Sequence, residues 1–358
     1  MLTQAAAGRT YDYSHSVGRG SQSGMGFNQP VSLALGKDDL MYVVNRGSES
    51  ISNVAWNRTG IGARVSRITV GSTPGDEEFL GEFSKYGSND GEFIWGSGVA
   101  VDRQENVYVS DEWLNQITVF DKDGNFQKKW SALEPGDGQA NGQAHGVANI
   151  ALDAEDNLYL TDGRSHEVRK FTKDGKFLVS WGGFGTANGQ FNSPWGITVD
   201  HEGCVYVADH RNDRVQKFTA DGQWLAQFGQ PGADRGSLRG PTDVAVDPEG
   251  DVYISDWTDN GVQPGKVHAF DKDGNFIISL IGDAQQLSKW AQMTVDANAD
   301  YVKRRREVPT MEPEWRLALP TGLAYDAKKS RLLVVDSQRS RLQIYNKLQR
   351  YLVPQMNL

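Results

Sequence analysis

A single cysteine, Cys204, occurs among the 358 residues of the chain. One cysteine cannot build an intramolecular disulfide framework, and its isolation fits a reducing compartment. The sequence also lacks any apolar run near the length of about 18 residues that a membrane-spanning helix needs. Its first residues show neither the basic nor the apolar region of a signal peptide. We therefore expect a cytoplasmic protein without a membrane segment.

Positive charge is also scarce, because 37 lysines and arginines stand against 46 acidic residues, for a net charge of −9. This balance argues against a protein whose whole surface binds nucleic acid. Local basic residues such as Arg304–Arg306 leave nucleic-acid binding as the third of the functions considered below. The hydrophobic content of 38% suits a globular chain and excludes a disordered one.

What the sequence does contain is a repeat. Residues 191–229 form four short apolar runs, each stopped by turn residues, which is typical of strands joined by tight turns. The residue that closes the first run recurs at Gly36, Asp102, Asp153, Asp200, Asp247 and Asp326, with steps of 66, 51, 47, 47 and 79 residues. Four strands in a repeat of about fifty residues predict a β-propeller. Six copies predict six blades in an all-β fold.

The predicted blades form one domain over residues 1–358, because no blade can bury both sheet faces without its neighbours. Residues 10–18 resemble an outer strand although no blade precedes them. We expect them to complete the last blade and close the ring, which removes exposed strand edges. Two insertions, 45–62 and 283–318, interrupt the regular spacing. Between blades 5 and 6, the apolar spacing from Leu287 to Val302 predicts an amphipathic helix.

The repeat resembles the NHL family. Its third strands follow Asn115-Gln-Ile, Ser165-His-Glu-Val, Asn212-Asp-Arg-Val and Ser340-Arg-Leu, and each is preceded by a strand-turn-strand of the form PxGhxVDxxGxhYVxD. The resemblance covers nearly the whole chain and implies a six-bladed propeller with four-stranded blades. NHL propellers include enzymes, protein scaffolds and RNA binders, so the resemblance implies no single activity.

Among NHL enzymes, the pattern is similar to that of the peptidyl-α-hydroxyglycine α-amidating lyases. That family has His/Asn-Arg-Gly after a first-blade strand, as Asn45-Arg46-Gly47 does here. It binds zinc through histidines that follow the proline opening a first strand, where this chain has Val31, Ser97, Ala148, Trp195, Thr242 and Thr321. The resemblance therefore implies a role for Arg46 but no zinc site. The family's catalytic tyrosine corresponds most nearly to Arg164, and its catalytic arginine to His210.

In a propeller, the loops that enter each first strand and the loops that join second to third strands share one face around the central channel. We call this the top face. Both insertions fall on it, and extra segments there predict a lid over the channel. Seven of the ten tryptophans also fall in its stretches: Trp56, Trp95, Trp113, Trp195, Trp257, Trp290 and Trp315. Aromatic side chains with a few polar groups are typical of a small-molecule site, and arginines bind carboxylates or phosphates. Candidate ligand-binding residues are Arg164, Arg211, Trp113, Trp195, Trp257, Thr242, Thr321 and Asn149, with Thr258 beside them.

The candidate catalytic residues are His210, Arg46, Glu112 and Asp243. His210 is the top-face histidine for which carboxylates, Glu112 and Asp243, are expected across the channel. It is suited to acid–base chemistry, or to binding a divalent metal in the channel together with Asp243 and Asn149. A purely structural histidine is the competing interpretation, and His145 is a second candidate.

These residues favour a lidded top-face site for a small anionic or aromatic molecule, with lyase or hydrolase chemistry open. The alternative is a non-catalytic NHL scaffold that binds a protein or peptide on the same face. For Arg164 and Arg211, a structural role in bridging neighbouring blades is an equally weighted interpretation. A deep pocket on the top face would favour the small molecule, and a broad open surface would favour the partner protein.

Overall fold

The computed structural model describes residues 3–51, 58–132, 146–257, 264–284, 286–298, 300 and 315–348. Six antiparallel sheets in these ranges form the six blades of a propeller, as the repeat predicts. The first strand of every blade contacts the first strands of the blades on both sides, and the six first strands close into a ring around the central channel.

The strands follow one another in regular order. Strands β1 (Thr3–Ala6) and β2 (Arg9–Val17) precede blade 1. Blade 1 contains β3 (Pro30–Leu35), β4 (Leu40–Asn45), β7 (Arg64–Thr69) and β8 (Glu78–Phe83). A hairpin of β5 (Ser48–Ile51) and β6 (Arg58–Ile61) lies between β4 and β7 in the sequence. Blade 2 contains β9 (Gly96–Val101), β10 (Val107–Asp111), β11 (Gln116–Phe120) and β12 (Phe126–Ser131). Blade 3 contains β13 (Val147–Leu152), β14 (Leu158–Asp162), β15 (Glu167–Phe171) and β16 (Phe177–Gly182).

The second half of the chain repeats this arrangement. Blade 4 contains β17 (Pro194–Val199), β18 (Val205–Asp209), β19 (Arg214–Phe218) and β20 (Trp224–Phe228). Blade 5 contains β21 (Pro241–Val246), β22 (Val252–Asp256), β23 (Lys266–Phe270) and β24 (Phe276–Leu280). Blade 6 contains β25 (Pro320–Asp326), β26 (Arg331–Asp336) and β27 (Arg341–Leu348). The 3-10 turns His210–Asn212 and Ser337–Arg339 follow the second strands of blades 4 and 6.

The aspartate that marks the repeat has a structural reason. In blade 4, Asp200 Oδ1 accepts hydrogen bonds from the backbone N–H groups of Glu202 and Cys204, and Oδ2 accepts from the hydroxyl of Tyr206 at 3.1 Å. One carboxylate thereby satisfies the tight turn and the second strand together. Asp102, Asp153 and Asp247 make the same tyrosine contact six residues further on in their own blades.

The ring closes through the N-terminal segment. Strand β2 pairs antiparallel with β27, with Tyr13 opposite Tyr345, and it occupies the place of the outer strand in blade 6. Strand β1, which the sequence pattern did not reveal, pairs with β2 as a fifth strand. The Arg9 guanidinium also binds the Asp251 carboxylate of blade 5 at 2.8 and 2.9 Å.

The hydrophobic core consists of six layers, each of which lies between two consecutive blades. In the layer between blades 3 and 4, for example, Tyr159 and Val168 pack with Val205 and Phe218. Each sheet face is therefore buried by a neighbouring blade rather than within its own blade.

The predicted helix between blades 5 and 6 is present as α1 (Lys289–Ala297). It begins later than Leu287, because the hydroxyl of Ser288 caps it by accepting from Ala291 N at 3.2 Å. Trp290 is 1% exposed and packs edge-on against Phe27 and Phe79, at the junction of blades 6 and 1. The helix ends at Ala297, with Asn298 as its C-cap. Residues 299, 301 and 302 of the predicted helix and Arg304–Arg306 lie outside the described residues. Of the helices that the structure describes, none is long and apolar enough to cross a membrane.

Candidate functional site

The top face is held together by the aspartates that end the second strands. Asp111 accepts hydrogen bonds from the backbone N–H groups of Ile94 and Trp95, which lead into β9, and from Trp113 and Leu114, which follow β10. Burial of this carboxyl raises its pKa, while the four N–H groups oppose that shift. The carboxylate thus fixes both loops of blade 2, and with them the candidate residues that they carry.

A first group of candidate residues lies over blades 1 and 2. The Arg46 guanidinium is 2.6 Å from the Glu112 carboxylate and lies over the Trp95 ring at 4.7 Å. Trp95 in turn packs edge-on against Trp113, with ring centroids 5.1 Å apart. We call these four residues the blade 1–2 cluster. Because Arg46 and Glu112 are only half-buried, their pairing balances charge without excluding an incoming polar ligand.

A second group, the blade 4–5 cluster, contains His210, Trp195 and Trp257. The His210 ring lies 5.0 Å from the Trp195 ring and 5.9 Å from the Trp257 ring, and the two indoles are 5.3 Å apart. All three side chains are half-buried. In the described part of the chain, the Trp257 indole N–H is enclosed and has no acceptor. Such an N–H favours an acceptor supplied by a bound molecule.

His210 is held as a neutral imidazole. Burial lowers its pKa below the ordinary value of 6.5, and the hydrogen bond to the Pro241 carbonyl opposes this shift only in part. The contact between Nδ1 and that carbonyl oxygen, at 3.1 Å, requires the proton on Nδ1. Nε2 consequently keeps its lone pair. Gly240 makes room for the ring, because a Cβ there would lie 3.1 Å from His210 Cε1.

Asp243 and Asn149 occupy equivalent positions in the first strands of blades 5 and 3. The Asp243 carboxylate accepts hydrogen bonds from the backbone N–H groups of Leu323, at 2.8 Å, and Val244. Burial raises the pKa of Asp243 to about 7, so its carboxyl changes charge near neutral pH. Asn149 Oδ1 accepts from Ile150 N at 2.8 Å in the corresponding way.

Thr242 and Thr321 link consecutive blades. The Thr242 hydroxyl is fully buried and donates to the Pro320 carbonyl of blade 6 at 2.7 Å. The Thr321 hydroxyl contacts the Pro30 carbonyl of blade 1 at 3.4 Å. Both hydroxyls therefore have partners within the protein. A ligand role for either one stays a prediction, which would require the blade junction to open.

Arg164 and Arg211 are exposed residues of the loops that follow the second strands of blades 3 and 4. Their backbone positions are fixed, because Arg164 N donates to Asp162 Oδ1 at 2.8 Å and Arg211 N donates to the Asn192 carbonyl at 3.0 Å. Their convergence with Arg46 on the channel mouth stays a prediction. Trp56, His145 and Thr258 lie outside the described residues.

Within the described ranges, one group of three acidic, histidine or cysteine side chains has its ligand atoms within 4.8 Å of one another: Asp200, Glu202 and Cys204. These residues lie at the turn between β17 and β18, on the face opposite the top face. The Asp200 carboxylate is already occupied there by two backbone N–H groups and a tyrosine hydroxyl. A divalent metal bound by His210, Asp243 and Asn149 in the channel remains a prediction.

The comparisons with known proteins agree on the fold. A model of the NHL repeat matches residues 191–218, within blade 4. The protein lin-41 of Caenorhabditis elegans is 47% identical over 47 residues, which are 13% of this chain and 4% of the length of that relative. The chain thus spans a small part of the curated protein that it matches. The predicted six-bladed propeller is confirmed, and the match to the NHL repeat lies within one of its blades.

Two solved structures are similar over almost the whole chain. Virginiamycin B lyase from Staphylococcus aureus has a TM-score of 0.51 at 11% identity, with 94% of this chain and 99% of that chain covered. A protein of unknown function from Bacteroides thetaiotaomicron has a TM-score of 0.58 at 16% identity, with 96% and 77% covered. At these identities the likeness concerns the fold alone.

Proposed function

We propose that the protein binds a small anionic or aromatic molecule on its top face and acts on it as a lyase or hydrolase, with the blade 4–5 cluster at the centre of the site. One observation carries the proposal: His210 is neutral, has a lone pair on Nε2, and packs against two half-buried indoles. A base with a pKa below its usual value is unprotonated at neutral pH and ready to accept a proton.

The surroundings of His210 suit a ligand with an aromatic or planar group. Trp195 and Trp257 offer ring faces and edges, and the Trp257 N–H offers a hydrogen bond to an acceptor. Arg211, exposed and next in sequence to His210, provides a cation for a carboxylate or phosphate. The likeness to a propeller named as a lyase makes the same fold a precedent for such chemistry, at a level where residues cannot be transferred.

Two reactions are consistent with one neutral base. In an elimination, His210 would take a proton from carbon, the C–H electron pair would form the new double bond, and the leaving group would depart with its own electron pair. In a hydrolysis, the same nitrogen would take a proton from the attacking water. The two outcomes differ by one water in the products, which mass spectrometry distinguishes.

The binding test uses benzoate as probe and calorimetry as readout. We expect His210→Gln and Trp257→Phe each to weaken benzoate binding about tenfold, which corresponds to about 1.4 kcal/mol. Trp181→Phe is the matched control, because it also removes an indole N–H without an acceptor, but in the outer strand of blade 3. The site would be refuted if the wild-type protein binds no benzoate, or if only the control variant Trp181→Phe loses binding.

The activity test uses virginiamycin B as a first substrate, because the similar lyase from Staphylococcus aureus is named for that compound. Product masses that sum to the mass of the substrate indicate elimination, and a gain of one water indicates hydrolysis. His210→Gln should abolish either product. If benzoate binds and no turnover occurs with any lactone or ester tried, the non-catalytic scaffold, which binds a peptide on this face, becomes the better account.

A further inference from the structure

Three blades share an arginine at the first residue of the third strand. In blade 4, Arg214 donates to the Asp209 carboxylate at 2.8 Å and to the carbonyls of Ala187 and Gln190 at 2.9 Å. Arg341 in blade 6 and Arg64 in blade 1 bind carbonyls of their own entry loops in the same way. The guanidinium therefore fills the space between the third strand and the loop that enters the blade.

A glutamine two residues further on supports this arrangement in blades 4 and 6. Gln216 Nε2 donates to Asp209 at 3.1 Å, and Gln343 Nε2 donates to Asp336 at 3.2 Å. The aspartate that ends each second strand is thereby satisfied by two side chains of the third strand.

Blades 2, 3 and 5 have other residues at both positions. In blade 5, Lys266 stands in place of the arginine, and His268 stands in place of the glutamine. A lysine carries no planar fork of donors, and so it cannot tie the entry loop as Arg214 does. His268 is 3% exposed, and its Nδ1 contacts Ser279 Oγ at 3.0 Å. In the described part of the chain, its Nε2 makes no hydrogen bond and lies 3.4 Å from the Asp256 carboxylate.

The consequence is a cleft of about 410 Å³ between the entry loop of blade 5 and its two outer strands. This volume falls within the range of about 300–1,000 Å³ typical of small-molecule pockets. The charged and polar side chains that line the cleft include Arg235, Arg239, Lys266, His268, Asp234 and Asp256, with Phe276 as an apolar wall. We call it the blade 5 cleft.

The charges of the blade 5 cleft are not balanced within it. In the described residues, none of Arg235, Arg239 and Lys266 forms a salt bridge; both arginines are exposed and Lys266 is half-buried. Arg235 lies 5.7 Å from the Phe276 ring. The Asp256 carboxylate is engaged by the backbone N–H of Arg239 at 3.0 Å and lies beside His268. Three cations thus face two carboxylates, the engaged Asp256 and the exposed Asp234, which leaves a net positive charge.

From this geometry we propose that the blade 5 cleft binds a small anion with an apolar group, such as an organic phosphate monoester. Lys266, Arg235 and Arg239 would hold the anionic head, and Phe276 would contact the apolar part. The His268 ring, with Nε2 3.4 Å from the Asp256 carboxylate, forms part of the cleft wall. This site is distinct from the blade 4–5 cluster, because its lining includes none of His210, Trp195 and Trp257.

The test is to give blade 5 the residues of blades 4 and 6. The double variant Lys266→Arg, His268→Gln should fill the cleft, as Arg214 and Gln216 do, and should weaken the binding of phenyl phosphate at least tenfold. Its melting temperature should stay level or rise, because the entry loop gains hydrogen bonds. If the double variant does not fold, Arg239→Met provides the same comparison, since it removes a cation from an exposed position.

Controls distinguish the blade 5 cleft from the blade 4–5 cluster and identify the chemistry of the ligand. Because the blade 4–5 cluster is itself proposed to bind aromatic anions, phenyl phosphate is also titrated in the His210→Gln background, where the double variant should still weaken binding at least tenfold. Inorganic phosphate should bind more weakly than phenyl phosphate, since it makes no contact with Phe276, and phenylacetate measures the preference for phosphate over carboxylate. The proposal fails if the wild type binds no phenyl phosphate, or if His210→Gln removes binding while the double variant keeps it.

Discussion

Replacing Asp243 with asparagine should change the stability of the protein by an amount that becomes more favourable as pH rises. In the fold, burial raises the pKa of Asp243 from 3.8 to about 7. Between these two values the folded state keeps a proton that the unfolded state has lost, so this carboxyl makes the fold less stable as pH rises. A difference of about three pKa units corresponds to about 4 kcal/mol once both values are passed.

Asparagine is chosen because the molecule already has an asparagine at the equivalent position of blade 3. Asn149 is the equivalent residue of blade 3, and its Oδ1 accepts from Ile150 N at 2.8 Å. In the variant, one of the two N–H groups that now bind Asp243 would lose its acceptor, at a cost of about 1 kcal/mol or more. We therefore expect Asp243→Asn to be slightly less stable than wild type near pH 4 and clearly more stable near pH 8.

The assay is urea unfolding between about pH 4 and pH 8, followed by tryptophan fluorescence, with a chelator present so that no cation offsets the carboxylate. Asp221→Asn is the control, because Asp221 is an exposed turn residue. The informative quantity is the difference between variant and wild type at each pH, since other titrating groups cancel in it. A difference that does not change with pH would contradict the argument.

Three further predictions concern stability and binding. Trp290→Ala should lower the free energy of unfolding by about 3–5 kcal/mol, whereas Met293→Ala on the exposed side of α1 should have little effect, as urea unfolding would show. Deleting residues 1–18 should cost several kcal/mol, since blade 6 loses β2 and its pairing with β27; an unchanged melting temperature would refute this. Arg46→Met should weaken binding of a carboxylate probe by about 1.5–3 kcal/mol while the melting temperature stays level, with Arg164→Met assayed beside it.

The fold could be predicted because each repeat carries its own local signals. The turn aspartate binds a tyrosine only six residues away, as Asp200 binds Tyr206, and such short-range contacts leave a regular trace in the sequence. The closing strand could be predicted from its isolation before blade 1. Strand β1 could not, because its four residues show no alternation that separates them from a loop.

The candidate site could be predicted in its face but not in its contacts. The sequence pattern places Glu112 opposite His210, yet its carboxylate is 2.6 Å from Arg46, which belongs to the preceding blade. Contacts between blades depend on the lengths and directions of side chains on two separate loops, and no pattern within one repeat records them. Trp95 likewise stands out in the sequence only as one of seven tryptophans, although it provides the ring over which Arg46 lies.

An informative signal in a repeat protein is a packed position at which the copies differ. Lys266 and His268 differ from Arg214 and Gln216, and an open cleft accompanies the difference. Alignment of the six third strands does not single these two residues out, because three copies have arginine at the first position and two have glutamine at the third. A shorter or less branched side chain at a packed position leaves space, and space lined by unpaired charge is where a ligand can bind.

The first strands show a second difference between copies, which limits what the channel can hold. At one level around the ring, Ser32, Asn149 and Asp243 alternate with Gly98, Gly196 and Gly322. The alternation is steric, because a Cβ on Gly196 would lie 2.4 Å from Asp243 Cα, and one on Gly98 would lie 2.4 Å from Asn149 Oδ1. Each polar side chain thus requires a glycine in the preceding blade, so this level presents three polar groups rather than six.

A divalent cation here would meet one carboxylate, one amide and one hydroxyl, and the carboxylate already accepts two backbone hydrogen bonds. Since hard divalent cations are held by several oxygen ligands, usually including carboxylates, this ring by itself favours a titrating Asp243 over a tightly bound metal.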